Sequence, residues 1–451
     1  MKAKYLKKFS LGRLLSPGRL AQWAFYLFFA FLPFQIDAMV MGGNLNAGVF
    51  LNPYLSHFVY ASDIFLILSL FFVGVDAVVT GGGFLAKLKF GKAGGAAGRR
   101  WIFWGVAAIF FMNVFSLIFS ADVANTLFYC VRILEWGIVY LLLAGGFVDV
   151  KKIIYVFVGV VSFTALIGIF QYVFQESLGL RFLGEPIISS DKAGVAKVDL
   201  FDGTVLRAYG TFFHPNVFAA YITFAIFFVI DFFRRSKILC AFVLAILVFA
   251  LILTFSRSAL FAFALAMMFY FAFSNMRLYA KYVIAAFLFV VLLTIVFDLL
   301  PVIIERFSLS DSSNLAERGI YLAISKHMFF ENIFGVGAGN FTAVMRSYAD
   351  VSLEPWMYQP VHNMFLLLLN EIGIQGLLFF LAWFLYLPYA AFRRMKKMTV
   401  ESDKKFVIVL MALWVFILAV GQMDHYFISL YQGQALLWFW GGLTAYSCSR
   451  L

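Results

Sequence analysis

The sequence predicts an all-α integral membrane protein with about twelve transmembrane helices. The 451-residue chain is 64% hydrophobic and 20% aromatic, and only 13% of its residues are charged. A water-soluble domain could not bury so much apolar surface. Apolar windows long enough to cross a bilayer recur along the chain, and basic residues concentrate in alternate connections between them.

Twelve windows justify the helix count, and they fall into two groups. Residues 1–20 form a basic N-terminus without a small-residue cleavage site after it, so the first window is predicted to be a retained span and not a signal peptide. Nine windows lie within 21–300, a long loop occupies 301–362, and three windows lie within 363–451. In chain order the windows are 21–41, 57–79, 101–119, 124–145, 153–174, 211–232, 238–254, 257–274, 281–300, 363–391, 405–421 and 429–447.

The distribution of positive charge predicts the orientation of these helices. Lysines and arginines near span ends are retained in the cytoplasm. Most of the 35 lie in connections that share a side with the N-terminus. Both termini are therefore predicted to be cytoplasmic, and the loops 175–210 and 301–362 extracytoplasmic. The net charge of +12 is explained by orientation, and no nucleic-acid partner is predicted.

Four polar clusters interrupt the apolar sequence. They are LRAYGTFFHPN (206–216), TFSRSAL (254–260), ERGIYLAISKHMFFENIFGVGAGNF (317–341) and VHNMFLLLLNEIGIQG (361–376). The predicted topology places all four at the outer membrane face. Charged groups at membrane depth are costly, so their convergence predicts a ligand, and an anion is the simplest candidate.

Three arginines in these clusters are candidate ligands for a diphosphate. Arg207, Arg257 and Arg318 each carry a planar guanidinium that donates two parallel hydrogen bonds to phosphate oxygens. Two alternatives remain open. Arg257 could snorkel to lipid headgroups, and Arg318 could form a salt bridge with Glu317.

His362 opens the tenth window and is a candidate general base, since imidazole titrates near neutral pH. The alternative is an interfacial histidine that caps the helix. Asn363 would orient a sugar or the neighbouring backbone. Arg132 and Glu135, three residues apart in the fourth window, predict a structural ion pair. Further candidate substrate-binding residues are His214, Asn216, Glu371, Asp424 and His425, of which the last two could equally form a loop hydrogen-bond pair.

Motifs for nucleotides and metals are absent from the sequence. It contains no GxxxxGK[ST], HExxH, CxxC or DxD pattern, so no cofactor and no metal ligands are predicted. The energy for a reaction outside the membrane would then come from an activated lipid-linked donor.

In this order, the clusters resemble the O-antigen ligase and O-antigen polymerase superfamily of bacterial membrane glycosyltransferases. The resemblance covers about residues 200–447. It rests on GTFFHPNVFAAY, LTFSRSALFAF, the block from ERG to ENIFGVGAGNF, HNMFLLLLNEIGIQGLLFFL and DHYFISLYQGQALLWFWGGL.

The resemblance implies a GT-C-like, metal-independent glycosyltransferase of the bacterial inner membrane. It would move a glycan from an undecaprenyl-diphosphate-linked donor to a glycan, lipid or protein acceptor, inverting the anomeric carbon if attack is a single displacement. Arg207, Arg257 and Arg318 would hold the diphosphate, and His362 would activate or position the acceptor hydroxyl. The histidine of FFHPN departs from the family pattern.

Two choices stay open at this point. The chain could be a ligase or a polymerase. It could also be a transporter of an anionic solute or lipid-linked sugar, although transporters bind at the membrane midplane between inverted repeats. Neither feature is evident here.

Overall fold

The computed structural model describes residues 16–44, 51–81, 96–192, 194–200, 203–232, 237–274, 302–303 and 312–450. Most of these residues are helical. The longer α-helices are α1 (Pro17–Phe31), α2 (Ala61–Thr80), α3 (Ala96–Phe115), α4 (Val123–Ala144), α5 (Val150–Phe174), α6 (Pro215–Phe232), α7 (Lys237–Leu253), α8 (Arg257–Phe273), α9 (Ser312–Glu331), α11 (Met364–Met395), α12 (Glu401–Gly421) and α14 (Tyr431–Arg450). Two single-turn helices, α10 (Phe341–Val344) and α13 (Tyr426–Ser429), complete the set.

The helices identify a multi-pass membrane protein. Within the described ranges, six helices are long and apolar enough to cross a bilayer: α2, residues 102–119, α4, α5, α11 and α12. Shorter apolar helices occupy 215–231, 237–253 and 257–273. Large apolar side chains on these helices face outward, as contact with lipid requires; Phe71 is 62% exposed and Met268 is 66% exposed. The predicted window 281–300 lies outside the described residues.

Helix packing builds one large apolar core. The helix α1 packs against α2, α4 packs against α14, α8 packs against α12, and α3 packs against α11. Aromatic side chains fill the core, including the fully buried Trp136 and Trp440. The predicted ion pair between Arg132 and Glu135 is present at 2.5 Å, and Asp63 is a second partner of Arg132 at 2.8 Å.

The boundaries of the first two predicted spans were wrong. The helix α1 ends at Phe31, shortly before Pro33, which cannot continue the helical hydrogen bonds. The chain then forms an antiparallel hairpin of β1 (Asp37–Asn44) and β2 (Leu51–Tyr60). Apolar residues at the ends of the hairpin had been assigned to the neighbouring spans. The described residues are mostly helical, as predicted, with little sheet.

Both long predicted loops contain regular structure. Within 175–210, β3 (Lys197–Leu200) and β4 (Gly203–Leu206) pair as a second antiparallel hairpin. Within 301–362, α9 is a 20-residue helix. One side of α9 is apolar and packs toward α11 through Tyr321, Ile324 and Met328, in a cluster that includes Leu367. Because charged residues, including Arg318, Lys326 and Glu331, recur along α9, the helix contains no continuous apolar window and was not predicted.

The helix α11 is interrupted at Gly373, and next to this interruption it forms hydrogen bonds with the glycine-rich GVGAGN segment (335–340). Gly373 has a φ of 72° and a ψ of 179°, outside the helical region. The backbone groups freed by the break bond to the segment: the Val336 N–H donates to the Asn370 carbonyl, and the Gly337 N–H donates to the Glu371 carbonyl, both at 2.9 Å. Irregular backbone at membrane depth is tolerated where protein satisfies it in this way.

Candidate active site

A cavity of about 300 Å³ collects side chains from all four polar clusters. We call it the arginine cavity. Its lining includes six of the predicted residues: Arg207, His214, Asn216, Arg257, Arg318 and His362. These residues lie up to 155 positions apart in the chain, so only the tertiary fold brings them together. The predicted convergence of the four clusters is thus present.

Arg207 is a buried arginine fixed by the ends of neighbouring helices. Its Nε donates to the carbonyl of Thr254 at 2.6 Å, just beyond the end of α7, and its Nη2 donates to Asn216 Oδ1 at 2.8 Å. Asn216 in turn donates to Asp424 at 2.8 Å. These bonds orient the guanidinium in the cavity wall with little freedom to turn.

Arg257 is the first residue of α8 and follows a sharp turn. Phe255, in that turn, is buried and has a φ of 45°, which is uncommon for a residue with a side chain. Strained backbone of this kind is often found at functional sites. The turn directs the N-terminus of α8 toward the cavity, which Arg257 and Ser258 both line. The helix dipole and the guanidinium therefore both favour an anion there.

Arg318 reaches the cavity from α9, the helix that sequence analysis missed. Glu317 and Tyr321 of the same helix also line the cavity, and the Tyr321 hydroxyl donates to Glu317 at 2.8 Å. The helix α9 therefore forms one wall and supplies one cation and one carboxylate.

His362 lies between α9 and the segment before α13. Its ring stacks on Tyr321 with centroids 5.4 Å apart and meets His425 edge-on at 5.2 Å. Among the described residues, no group bonds to its Nδ1. Burial lowers the pKa of His362 below its ordinary value of 6.5, and the charge of Arg318 lowers it further, while Asp424 and Glu317 oppose the shift. The imidazole is consequently neutral at pH 7 and can accept a proton.

Asp424 and His425 lie behind the cavity wall. Both side chains are buried. The Asp424 carboxylate accepts from Asn216 and from the backbone N–H of His425, each at 2.8 Å, and His425 Nδ1 lies 2.6 Å from Ser429 Oγ. Burial lowers the pKa of His425 to about 3. The pair supports the residues that line the cavity and does not itself line it.

Two predicted residues lie elsewhere. Asn363 is the N-cap of α11: its Oδ1 accepts from the backbone N–H groups of Phe365 and Leu366 at 2.9 and 3.0 Å. The cap is therefore Asn363, and the competing explanation of His362 as a cap loses support. Glu371 is buried beside the glycine-rich segment, with its Oε1 3.5 Å from the Phe341 backbone nitrogen. Neither residue is among those that line the arginine cavity.

The structure contains a second cavity of about 200 Å³, whose lining includes Phe213, the chain neighbour of His214. We call it the aromatic cavity. Its walls come from the β1–β2 hairpin, from α4 and from residues 429–434. This cavity was not predicted from the sequence, because parts of the hairpin were assigned to membrane spans. The juxtaposition of Tyr60 with Tyr431, whose rings stack at 4.0 Å, has no signal in the linear sequence.

The arrangement suits transfer of a group that carries an anionic leaving group. Three guanidinium groups from separate segments surround the arginine cavity, where they can bind phosphate oxygens in bidentate fashion. A neutral imidazole lies on the same cavity and can take a proton from a nucleophile.

Comparison with known proteins bears on the same residues. No curated protein matches the chain. Residues 240–381 match the family model described as O-antigen ligase. The matched segment contains Arg257, Arg318 and His362 and begins after Arg207. The resemblance to the O-antigen ligase and polymerase superfamily is therefore confirmed over residues 240–381 of this multi-pass membrane protein.

Proposed function

We propose that the chain is a glycosyltransferase that moves a glycan from an undecaprenyl-diphosphate-linked donor to an acceptor. The reaction would take place at the extracytoplasmic face of the bacterial inner membrane. The family match supports a glycosyltransferase-like ligase or polymerase role. The observation that carries the proposal is the meeting of Arg207, Arg257, Arg318 and His362 on one cavity.

The proposed reaction is a single displacement at the anomeric carbon. An acceptor hydroxyl oxygen attacks this carbon and forms the new glycosidic bond. The bond to the diphosphate oxygen breaks, and its electron pair leaves with undecaprenyl diphosphate. The hydroxyl proton passes to the His362 imidazole. Attack opposite to the leaving group inverts the anomeric configuration.

The three arginines would stabilise charge as it develops on the leaving diphosphate. Arg207 is held in place by Thr254 and Asn216, so it needs little reorganisation during the reaction. The N-terminus of α8 adds its dipole beside Arg257. These groups supply positive charge without a metal ion, and we propose a metal-independent reaction.

A deletion strain tests the function and the identity of the acceptor. Loss of a ligase should leave long lipid-linked chains that are not attached to their acceptor, whereas loss of a polymerase should leave single lipid-linked units. Both can be separated by gel electrophoresis of extracted lipid-linked glycans. Normal surface polysaccharide and no accumulated intermediate would contradict the proposal.

Transport of an anionic solute or a lipid-linked sugar is the second candidate. It is favoured only by the presence of arginines near the membrane. In the topology that we propose, the arginine cavity opens at the extracytoplasmic face. This position suits a reaction on a ligand that is already exposed at that face. Accumulation of the intermediate on the cytoplasmic side in the deletion strain would support transport instead.

A further inference from the structure

The aromatic cavity combines ring surfaces with residues whose polar atoms have no hydrogen-bond partner among the described residues. Phe128, Tyr129 and Phe213 line it together with the stacked pair of Tyr60 and Tyr431. Cavities that bind organic ligands characteristically have such walls, with a small number of placed polar groups. Aromatic faces pack well against the C–H faces of sugar rings.

Three buried polar atoms on this cavity lack hydrogen bonds within the part of the chain that the structure describes. They are Gln35 Oε1, Ser56 Oγ and Gln432 Nε2. Leaving a buried polar group unbonded is costly, and such groups in native proteins call for an explanation. The set comprises an acceptor, a hydroxyl and a donor. Sugar hydroxyls both donate and accept, so a sugar ring in the cavity could bond to each of these atoms once its buried side chain rotates toward the cavity.

The charges of the aromatic cavity differ from those of the arginine cavity. Its arginine, Arg132, is already paired with Asp63 and Glu135 at 2.8 and 2.5 Å and donates to the carbonyl of Phe58. Asp37 also lines the cavity and would repel an anion while accepting hydrogen bonds from hydroxyls. The balance of charge therefore favours a neutral ligand over a phosphate.

The two cavities are connected at two places, once along the chain and once through a side chain. Phe213 lines the aromatic cavity and His214, the next residue, lines the arginine cavity. His425 contacts His362, which lines the arginine cavity, and also Ser429, which lines the aromatic cavity. A ligand in the aromatic cavity would thus lie on the His362 side of the reaction centre, where the acceptor must approach.

We infer that the aromatic cavity is a binding site for a neutral sugar ring of the acceptor. The inference rests on the proposed glycan transfer. It assigns the β1–β2 hairpin a part in acceptor recognition, since Ser56 and Tyr60 belong to β2.

Replacing the unpartnered atoms by apolar groups of similar shape tests the site. Ser56→Ala and Gln432→Met remove no hydrogen bond of these side chains that the described structure contains, so thermal stability should be unchanged or slightly higher. Each should weaken acceptor binding roughly fivefold, as expected for one lost hydrogen bond. Thr223→Val is the matched control, because Thr223 Oγ1 is also buried without a partner among the described residues but lines neither cavity.

The measurement is equilibrium binding without donor, so it does not depend on turnover. The probe is the envelope oligosaccharide of the producing strain, released by mild acid, labelled with a fluorophore and titrated into detergent-purified protein. Weaker binding to both variants and unchanged binding to Thr223→Val support the site. Equal binding to all proteins, or no binding to the wild type, overturns it.

A parallel transfer assay separates this inference from the proposed function. Wild-type protein that binds the probe but transfers no glycan contradicts the proposed function alone. Wild-type protein that transfers glycan while both variants keep the same KM for the acceptor contradicts the aromatic site alone. A raised KM for the donor in place of the acceptor also contradicts it.

Discussion

At the scale of single residues, mutation can test whether His362 is the general base. Asn363 caps α11, so the fold does not need His362 for that purpose. We predict that His362→Gln folds and binds the donor but loses roughly 10²–10⁴-fold in kcat, the usual contribution of a general base. His327→Gln is the control, since His327 is half-exposed and pairs with Glu331 on α9. Retention of more than about a tenth of the turnover in His362→Gln would fit loss of one hydrogen bond instead.

The lowered pKa of His362 makes a further prediction about pH. Because burial holds this pKa below its ordinary range, kcat/KM should fall on acidification only at a lower pH than an ordinary imidazole would give, as the imidazole becomes protonated. Arg318→Gln removes a cation that lowers this pKa, so the fall should begin at a higher pH in that variant. Measuring kcat/KM from pH 4 to 8 checks both. A fall at the same pH in the variant would show that another group controls the profile.

Six of the twelve residues that line the arginine cavity, among them the three arginines and His362, were predictable because they belong to the polar clusters between apolar segments. The sequence alone could not distinguish Glu371 from these residues. Glu371 interrupts the apolar helix α11, which follows His362, yet its side chain lies against the glycine-rich segment and the Phe341 backbone. The contacts of Glu371 depend on how α11 packs against the glycine-rich segment, which no single-sequence pattern reveals.

At the scale of elements, hydrogen bonds from the glycine-rich segment to Asn370 and Glu371 fix the chain between α9 and α11. Gly335 has a φ of 88°, and a Cβ there would lie 2.5 Å from the Glu371 carbonyl oxygen, a backbone atom that cannot move aside. We predict that Gly335→Ala lowers stability by at least about 2 kcal/mol. Gly159→Ala, in open space on α5, should be neutral or stabilising. Thermal unfolding in detergent compares the two, and equal midpoints would contradict this explanation.

Helices were predictable where their apolar residues run without interruption, and less so elsewhere. The windows for α4, α5 and α12 agree with the observed helices to within a few residues. The helix α9 was missed because charged residues recur along it. The β1–β2 hairpin was missed because an apolar strand and an apolar helix end look alike without their partners.

At the scale of the whole molecule, the orientation in the membrane remains a prediction. Most basic residues lie in connections assigned to the cytoplasm, so residues 301–362 should face outward. In a background without Cys130, Cys240 and Cys448, a membrane-impermeant thiol reagent should label Ser352→Cys and not Lys397→Cys in intact cells. Both positions are exposed in the fold. Labelling of Lys397→Cys alone, or of both, would contradict the topology.

Transfer by the purified chain in reconstituted vesicles tests the central claim most directly. With an undecaprenyl-diphosphate-linked glycan and its acceptor, the wild type should form glycosylated acceptor. Arg257→Lys keeps the charge but loses the bidentate fork, so it should retain only a small fraction of this activity at normal expression. Arg346→Lys, at an exposed site outside both cavities, should remain fully active. No product from the wild type, or near-full activity in Arg257→Lys, would contradict the account.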